Sequence, residues 1–78
     1  MKLIALNLPR DFGEQELAEL FKAYGQIKAC HLVLDEGTGK SKGFGFVEMA
    51  LEHEATSAIE ALHGSKIHKN KIRVKQAE

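Results

Sequence analysis

At 78 residues, with 44% apolar and 28% charged side chains, the chain has material for one small core and little room for elaborate catalytic machinery. Its apolar runs fall short of the roughly 20 residues that cross a bilayer, and its single cysteine, Cys30, excludes an intramolecular disulfide and points to a reducing, cytoplasmic setting. Eleven bases offset eleven acids, so the net charge taken alone argues against a polyanionic partner.

Residues 3–8, LIALNL, form a short apolar run ended by Pro9 and predict an opening strand with no secretory leader before it. Residues 14–24 place Leu17, Leu20, Phe21 and Tyr24 at i, i+3, i+4 and i+7, the helical period, with Gly25 as the stop. Ile27 to Leu34 is rich in β-formers. Cys30, Leu32 and Leu34 alternate inward against His31 and Val33, which makes Cys30 an inert core thiol. The DEGTGKS segment is turn-rich, with Gly37 and Gly39 available for positive φ. Lys42 to Met49 predicts the next strand. Residues 52–62 predict a second helix through Ala55, Ala58, Ile59 and Leu62, closed by Gly64, and Lys71 to Lys75 alternates strictly as a last strand.

The order β-α-β-β-α-β predicts one α+β domain over residues 1–78, with a ferredoxin-like split β-α-β arrangement. Its four-stranded antiparallel sheet carries both helices on one face and leaves the other open. Charge sorts along the same division. The two helical segments hold Glu14, Glu16, Glu19, Glu52, Glu54 and Glu60 against Lys22 alone, leaving ten bases and five acids elsewhere, Glu78 among the latter. A neutral chain is thus expected to be polarised, with a basic surplus on the open face.

The stretch GTGKSKGFGF, residues 37–46, admits two readings. Gly39-Lys40-Ser41 matches the tail of a phosphate-binding loop, but that loop needs a glycine where Leu34 stands and a helix after the serine. Neither is present, and a polar hairpin is the better reading. In the second half, strand alternation puts Lys42, Phe44, Phe46 and Glu48 on one face and Gly43, Gly45, Val47 and Met49 on the other. Burying the two rings would expose Val47 and Met49, so Phe44 and Phe46 are expected on the open face, where uncovered aromatics mark a binding surface.

Lys42 to Met49, KGFGFVEM, resembles the ribonucleoprotein octamer of the RNA recognition motif family, with Met49 in place of the final aromatic. The family's partner hexamer, aliphatic-aromatic-aliphatic-x-Asn-Leu, is similar to residues 3–8 at Leu3, Ala5, Asn7 and Leu8, and Ile4 stands where the second stacking ring is usual. The resemblance covers the whole chain and extends to small single-motif RNA-binding proteins of bacteria. It implies that Phe46 and Ile4 each take one base and that Phe44 lies against sugar. Its partner would be single-stranded RNA, or single-stranded DNA of the same chemistry, bound by a monomer with no cofactor and no membrane attachment. With one module and one ring missing, affinity on the order of micromolar is expected.

Lys2, Lys42, Arg73 and Lys75 fall on the same face by alternation and are candidates for phosphates or base edges. His31 is a candidate to stack on or hydrogen-bond a base. Asn7 is read first as organising the loop before Pro9, with a base also within its reach. His53, His63 and His68 lack partners at zinc-ligand spacing, and no nucleophilic or paired-carboxylate constellation supports an enzyme. An acylphosphatase-like activity would need a glycine-rich anion cradle where Leu8-Pro9-Arg10 stands. A second reading of the open face is a protein-docking surface built from Ile4, Leu6, Val33, Phe44 and Phe46.

Overall fold

The computed structural model describes residues 1–77; Glu78, counted above among the acids, lies outside them. Strand β1 (Lys2–Leu6) is followed by helix α1 (Glu14–Lys22), strands β2 (Ile27–Leu34) and β3 (Ser41–Met49), helix α2 (Glu52–Leu62), the short β4 (Lys66–Ile67) and β5 (Asn70–Lys71), and β6 (Arg73–Gln76). The main sheet has the antiparallel order β2-β3-β1-β6, and β4 and β5 form a separate ribbon. The expected βαββαβ architecture is therefore present, with a hairpin inserted before the last strand.

Helix α1 starts at Gly13, whose backbone N–H donates to the Glu16 carboxylate at 3.0 Å, half of a capping box. Glu14 and Glu16 lie in its first turn and Lys22 in its last, each with the sign the helix dipole favours. Leu17 and Phe21, one turn apart, are fully buried, while α2 presents Ala55, Ala58 and Leu62 to the sheet. They meet Leu3, Ala5, Leu32, Val47, Met49, Ile72 and Val74 from the strands, and Leu8 and Phe12 from the loop after β1. Nearly the whole core lies between helices and sheet, so the second face of the sheet has no layer over it.

Several boundaries differ from the sequence expectation. Strand β1 stops at Leu6, because Asn7 turns to a φ of 60° and sends Leu8 into the core. The Asn7 amide Nδ2 donates to the Lys71 carbonyl at 2.9 Å, and Asn70 Nδ2 donates to the Asn7 carbonyl at 3.2 Å. Asparagine suits this left-handed conformation better than other non-glycine residues. Asn7→Ala is expected to lower stability by about 1–2 kcal/mol through backbone strain and the lost hydrogen bond. Asn7→Gly should recover the backbone part; equal urea midpoints for Asn7→Ala and the parent chain would refute this account.

Helix α1 ends at Lys22 with Ala23 as its C-cap, and Gly25 is not at positive φ; a Cβ there would run into the Glu54 side chain, so Gly25 serves close approach. In the β2–β3 hairpin Gly39 has φ 73° but Gly37 does not, because the Asp35 carboxylate accepts the backbone N–H groups of Gly37 and Thr38 and shapes the turn itself. Two irregularities interrupt the β2–β3 register, between Ile27 and Ala29 and between Leu32 and Leu34. The second, where Gly43 takes φ 86°, adds residues to β3 and puts Leu34 opposite Ser41; Leu34 lines a hollow with Phe12 and Leu32 but is 49% exposed rather than buried. Lys71, expected in the last strand, belongs to the β4–β5 ribbon, and β6 begins at Arg73.

A side chain meets one backbone donor on each edge strand of the sheet. The Glu14 carboxylate accepts the Leu32 N–H of β2 at 3.2 Å, and His63 Nδ1 accepts the Val74 N–H of β6 at 3.1 Å. Occupied edge donors discourage strand addition at these two points.

Candidate functional site

The register of the sheet builds the site. One row across the open face runs His31, Phe46, Ile4, Lys75, and the next runs Phe44, Leu6, Arg73. Beyond Phe46, Glu48 lies opposite both Lys2 and Ala29. Phe44 and Phe46 are half-buried, with ring centroids 6.3 Å apart and planes at 84°, an edge-to-face pair that fixes both orientations. The Lys2 ammonium sits 5.1 Å from the Phe46 centroid, a cation–π contact that keeps it over the apolar patch. Ile4 and Leu6 are also half-buried and fill the space between the rings and β6.

Of the expected residues, the structure thus brings together Ile4, Lys2, Phe44, Phe46, His31, Arg73 and Lys75 on one surface, with exposed Lys42 at the head of β3. Asn7 lies at the end of β1 with its amide nitrogen engaged by Lys71, which is the loop-organising role. His31 is 74% exposed in its side chain, and its Nδ1 stands 4.0 Å from the Glu14 carboxylate at the sheet edge. The acidic helix face therefore reaches round β2 at this point, which simple sorting by element did not foresee.

Two further residues belong to the surface. Lys28 reaches the Glu48 carboxylate at 3.5 Å. Alternation from His31 would have turned Lys28 inward; the irregularity at Ile27–Ala29 reverses the phase, packs Ile27 against the core and frees Lys28 for the open side. Nothing in residue types announces a bulge there. Glu48, by contrast, was legible as outward-facing. A hollow of about 300 Å³ opens between Lys2, Ala29, His31, Phe46 and Glu48.

Cys30 is half-buried rather than in the core, with its Sγ 3.7 Å from the Glu14 carbonyl. Burial first, and the Glu14 carboxylate second, push its thiol above the ordinary value of 9.0, so it stays protonated and unreactive at neutral pH. Among the described residues, no group of three His, Cys, Asp or Glu side chains is placed to hold a metal ion, and no helix is long and apolar enough to cross a membrane. A separate hollow of about 360 Å³ lies behind the β2–β3 hairpin, against Arg10, Phe12, Leu34 and Ser41, away from the aromatic pair.

Residues 6–73 match the family model for the RNA recognition motif. RbpB of the cyanobacterium Nostoc sp. (strain PCC 7120) is 40% identical over all 78 residues, which cover 76% of its length. The 28 kDa chloroplastic ribonucleoprotein of Spinacia oleracea is 42% identical over 72 residues, 92% of this chain but 31% of that one. Among solved structures, a Sxl-lethal protein/RNA complex superposes with a TM-score of 0.94 at 35% identity, covering 99% of this chain and 46% of the other.

Proposed function

The chain belongs to the RNA recognition motif family, and from that premise we propose how its open sheet works as a binding surface. It is a non-catalytic module that binds single-stranded RNA on the uncovered face of the β2-β3-β1-β6 sheet. The observation that carries this reading is the half-buried Phe44–Phe46 pair on a face with no layer over it, rimmed by Lys2, Lys42, Arg73 and Lys75. One base stacks on Phe46, where water is displaced from both π-faces. A second packs on Ile4, and Phe44, perpendicular to Phe46, lies against the ribose between them. The cations neutralise phosphates, with Lys75 beside Ile4 and Arg73 beside Leu6 marking the β6 side of the path. Asn7 holds the junction between β1 and β5 and contributes by keeping Leu6 and Arg73 in register.

The direct test is titration with a short single-stranded RNA while following backbone amide resonances. Residues 2–6, 31, 42–48 and 73–76 should shift together. Shifts confined to the helices, or a response to peptide but not to RNA, would replace this reading with a protein-docking one.

Ile4 supplies a sharper prediction. It can pack on a base but has no π-system, so Ile4→Phe should tighten RNA binding by about 1 kcal/mol, roughly fivefold, the lower end of a base–aromatic stack. Fluorescence anisotropy with a labelled oligonucleotide reads this directly, and unchanged affinity would remove position 4 from the set of base platforms.

A further inference from the structure

The hollow beside Phe46 contains a carboxylate, which is unexpected on a face that receives a polyanion. Glu48 is 43% exposed in its side chain, stands 3.5 Å from Lys28 Nζ, and is the cross-strand partner of Lys2, whose ammonium lies 5.1 Å from the Phe46 ring centroid. Two cations thus flank one carboxylate at the edge of the stacking ring. A carboxylate cannot help with phosphate, but it accepts hydrogen bonds through two oxygens at once.

We propose that Glu48 and Lys2 form a base-selective subsite for guanine, an inference that rests on the RNA-binding reading of this sheet. Residues two apart along a strand are roughly 7 Å apart on the same face. A base stacked on Phe46 therefore presents an edge, rather than a face, to the upright Glu48 side chain. Guanine offers adjacent donors at N1–H and N2–H₂, matching the two carboxylate oxygens, and next to them the O6 acceptor, matching an ammonium. Adenine, cytosine and uracil each place an acceptor beside their donor, which would face a carboxylate oxygen at close range. Lys28 holds the carboxylate in place, and Lys2, its cross-strand partner, adds a second positive charge that lowers its repulsion of the passing backbone. Glu48 is a specificity-determining residue on these grounds, and its selectivity acts by rejecting the wrong edges as well as by holding the right one.

The test uses labelled tetranucleotides of uridine with one internal guanosine, the same with inosine in its place, and all-uridine, measured by anisotropy on the parent chain and on Glu48→Gln. The parent should bind the guanosine oligonucleotide roughly tenfold more tightly than the all-uridine one, the size of effect a bidentate base-edge contact supplies. Inosine, which lacks only the 2-amino group, should lose most of that gain. In Glu48→Gln the three affinities should come within about twofold of one another, with the all-uridine value improved. Guanosine preference that survives Glu48→Gln, or its absence from the parent, overturns the subsite while leaving RNA binding intact. Failure of the parent chain to bind any of the three overturns the RNA-binding reading and the subsite together.

Discussion

Phe46→Ala is expected to weaken binding to single-stranded RNA by about 1–3 kcal/mol, or roughly 5- to 150-fold, while the domain stays folded. The loss follows from position. Phe46 lies in the row His31, Phe46, Ile4, Lys75, in the middle of the four strands, and is the ring that the Lys2 ammonium approaches. Its β1 neighbour in that row is Ile4 and its β2 neighbour is the exposed His31 at the sheet edge, so no second phenyl ring in the row replaces the stack. The fold survives because the ring is on the uncovered side; Val47 and Met49, its core-facing neighbours, remain fully buried. What the native state gives up is the edge-to-face contact with Phe44 and the Lys2 cation–π contact, each about 0.5–1.5 kcal/mol. Two measurements together isolate stacking. The salt dependence of binding should keep its slope, because a base stack releases no counterions, whereas Lys42→Ala should flatten it by about 0.7. A Phe46→Ala protein that binds RNA as the parent does would end the stacking model.

The contrast between what residue patterns announce here and what they conceal has a physical origin. Alternation along Lys42–Met49 is enforced by burial: a slip of one residue would expose Val47 and Met49, so the placement of Phe44, Phe46 and Glu48 was readable. The same argument failed on β2. That strand lies at the edge of the sheet, pairs on one side only, and carries an irregularity that turns Ile27 inward and Lys28 outward, while Leu34 at its end is left half exposed. The core leaves β2 freer, so hydrophobic period is a poor guide to it. Asn7 illustrates a different limit. Its role depends on a carbonyl 64 residues away, and no local pattern reports such a partner. The β4–β5 ribbon was missed for the same reason: two residues per strand are too few to show any period. Charge was readable in bulk and misleading in detail, since Glu14 leaves the helix face to cover the Leu32 N–H, and Glu48 sits among the cations.

Gly45 is expected to be the costliest single position in the aromatic strand. Its neighbours in the motif tolerate truncation, but a Cβ at Gly45 would stand 2.8 Å from Leu17 Cδ2, 2.9 Å from the His31 carbonyl oxygen and 3.3 Å from Leu32 Cα. Leu17 is fully buried, so its methyl has no solvent to swing into, and the other two atoms are backbone of the paired strand β2. Gly45→Ala should therefore cost about 1–3 kcal/mol by overpacking, even after the small gain from a stiffer unfolded chain. For a domain of this size the total stability is only some 4–12 kcal/mol, and the melting temperature should fall by roughly 4–20 °C. Gly45→Val, which adds two further carbons in the same place, should leave the chain largely unfolded at 37 °C. The contrasting variant is Gly39→Ala. Gly39 has open space around it and only its φ of 73° to strain, so about 1 kcal/mol is expected there. If Gly45→Ala melted within 2–3 °C of the parent, α1 and β2 would have to yield together, and the glycine would owe its place to something other than packing. If it melts low but binds RNA normally below its transition, the two faces of β3 act independently: the glycine side sets how closely the helix sits, and the phenylalanine side meets the ligand.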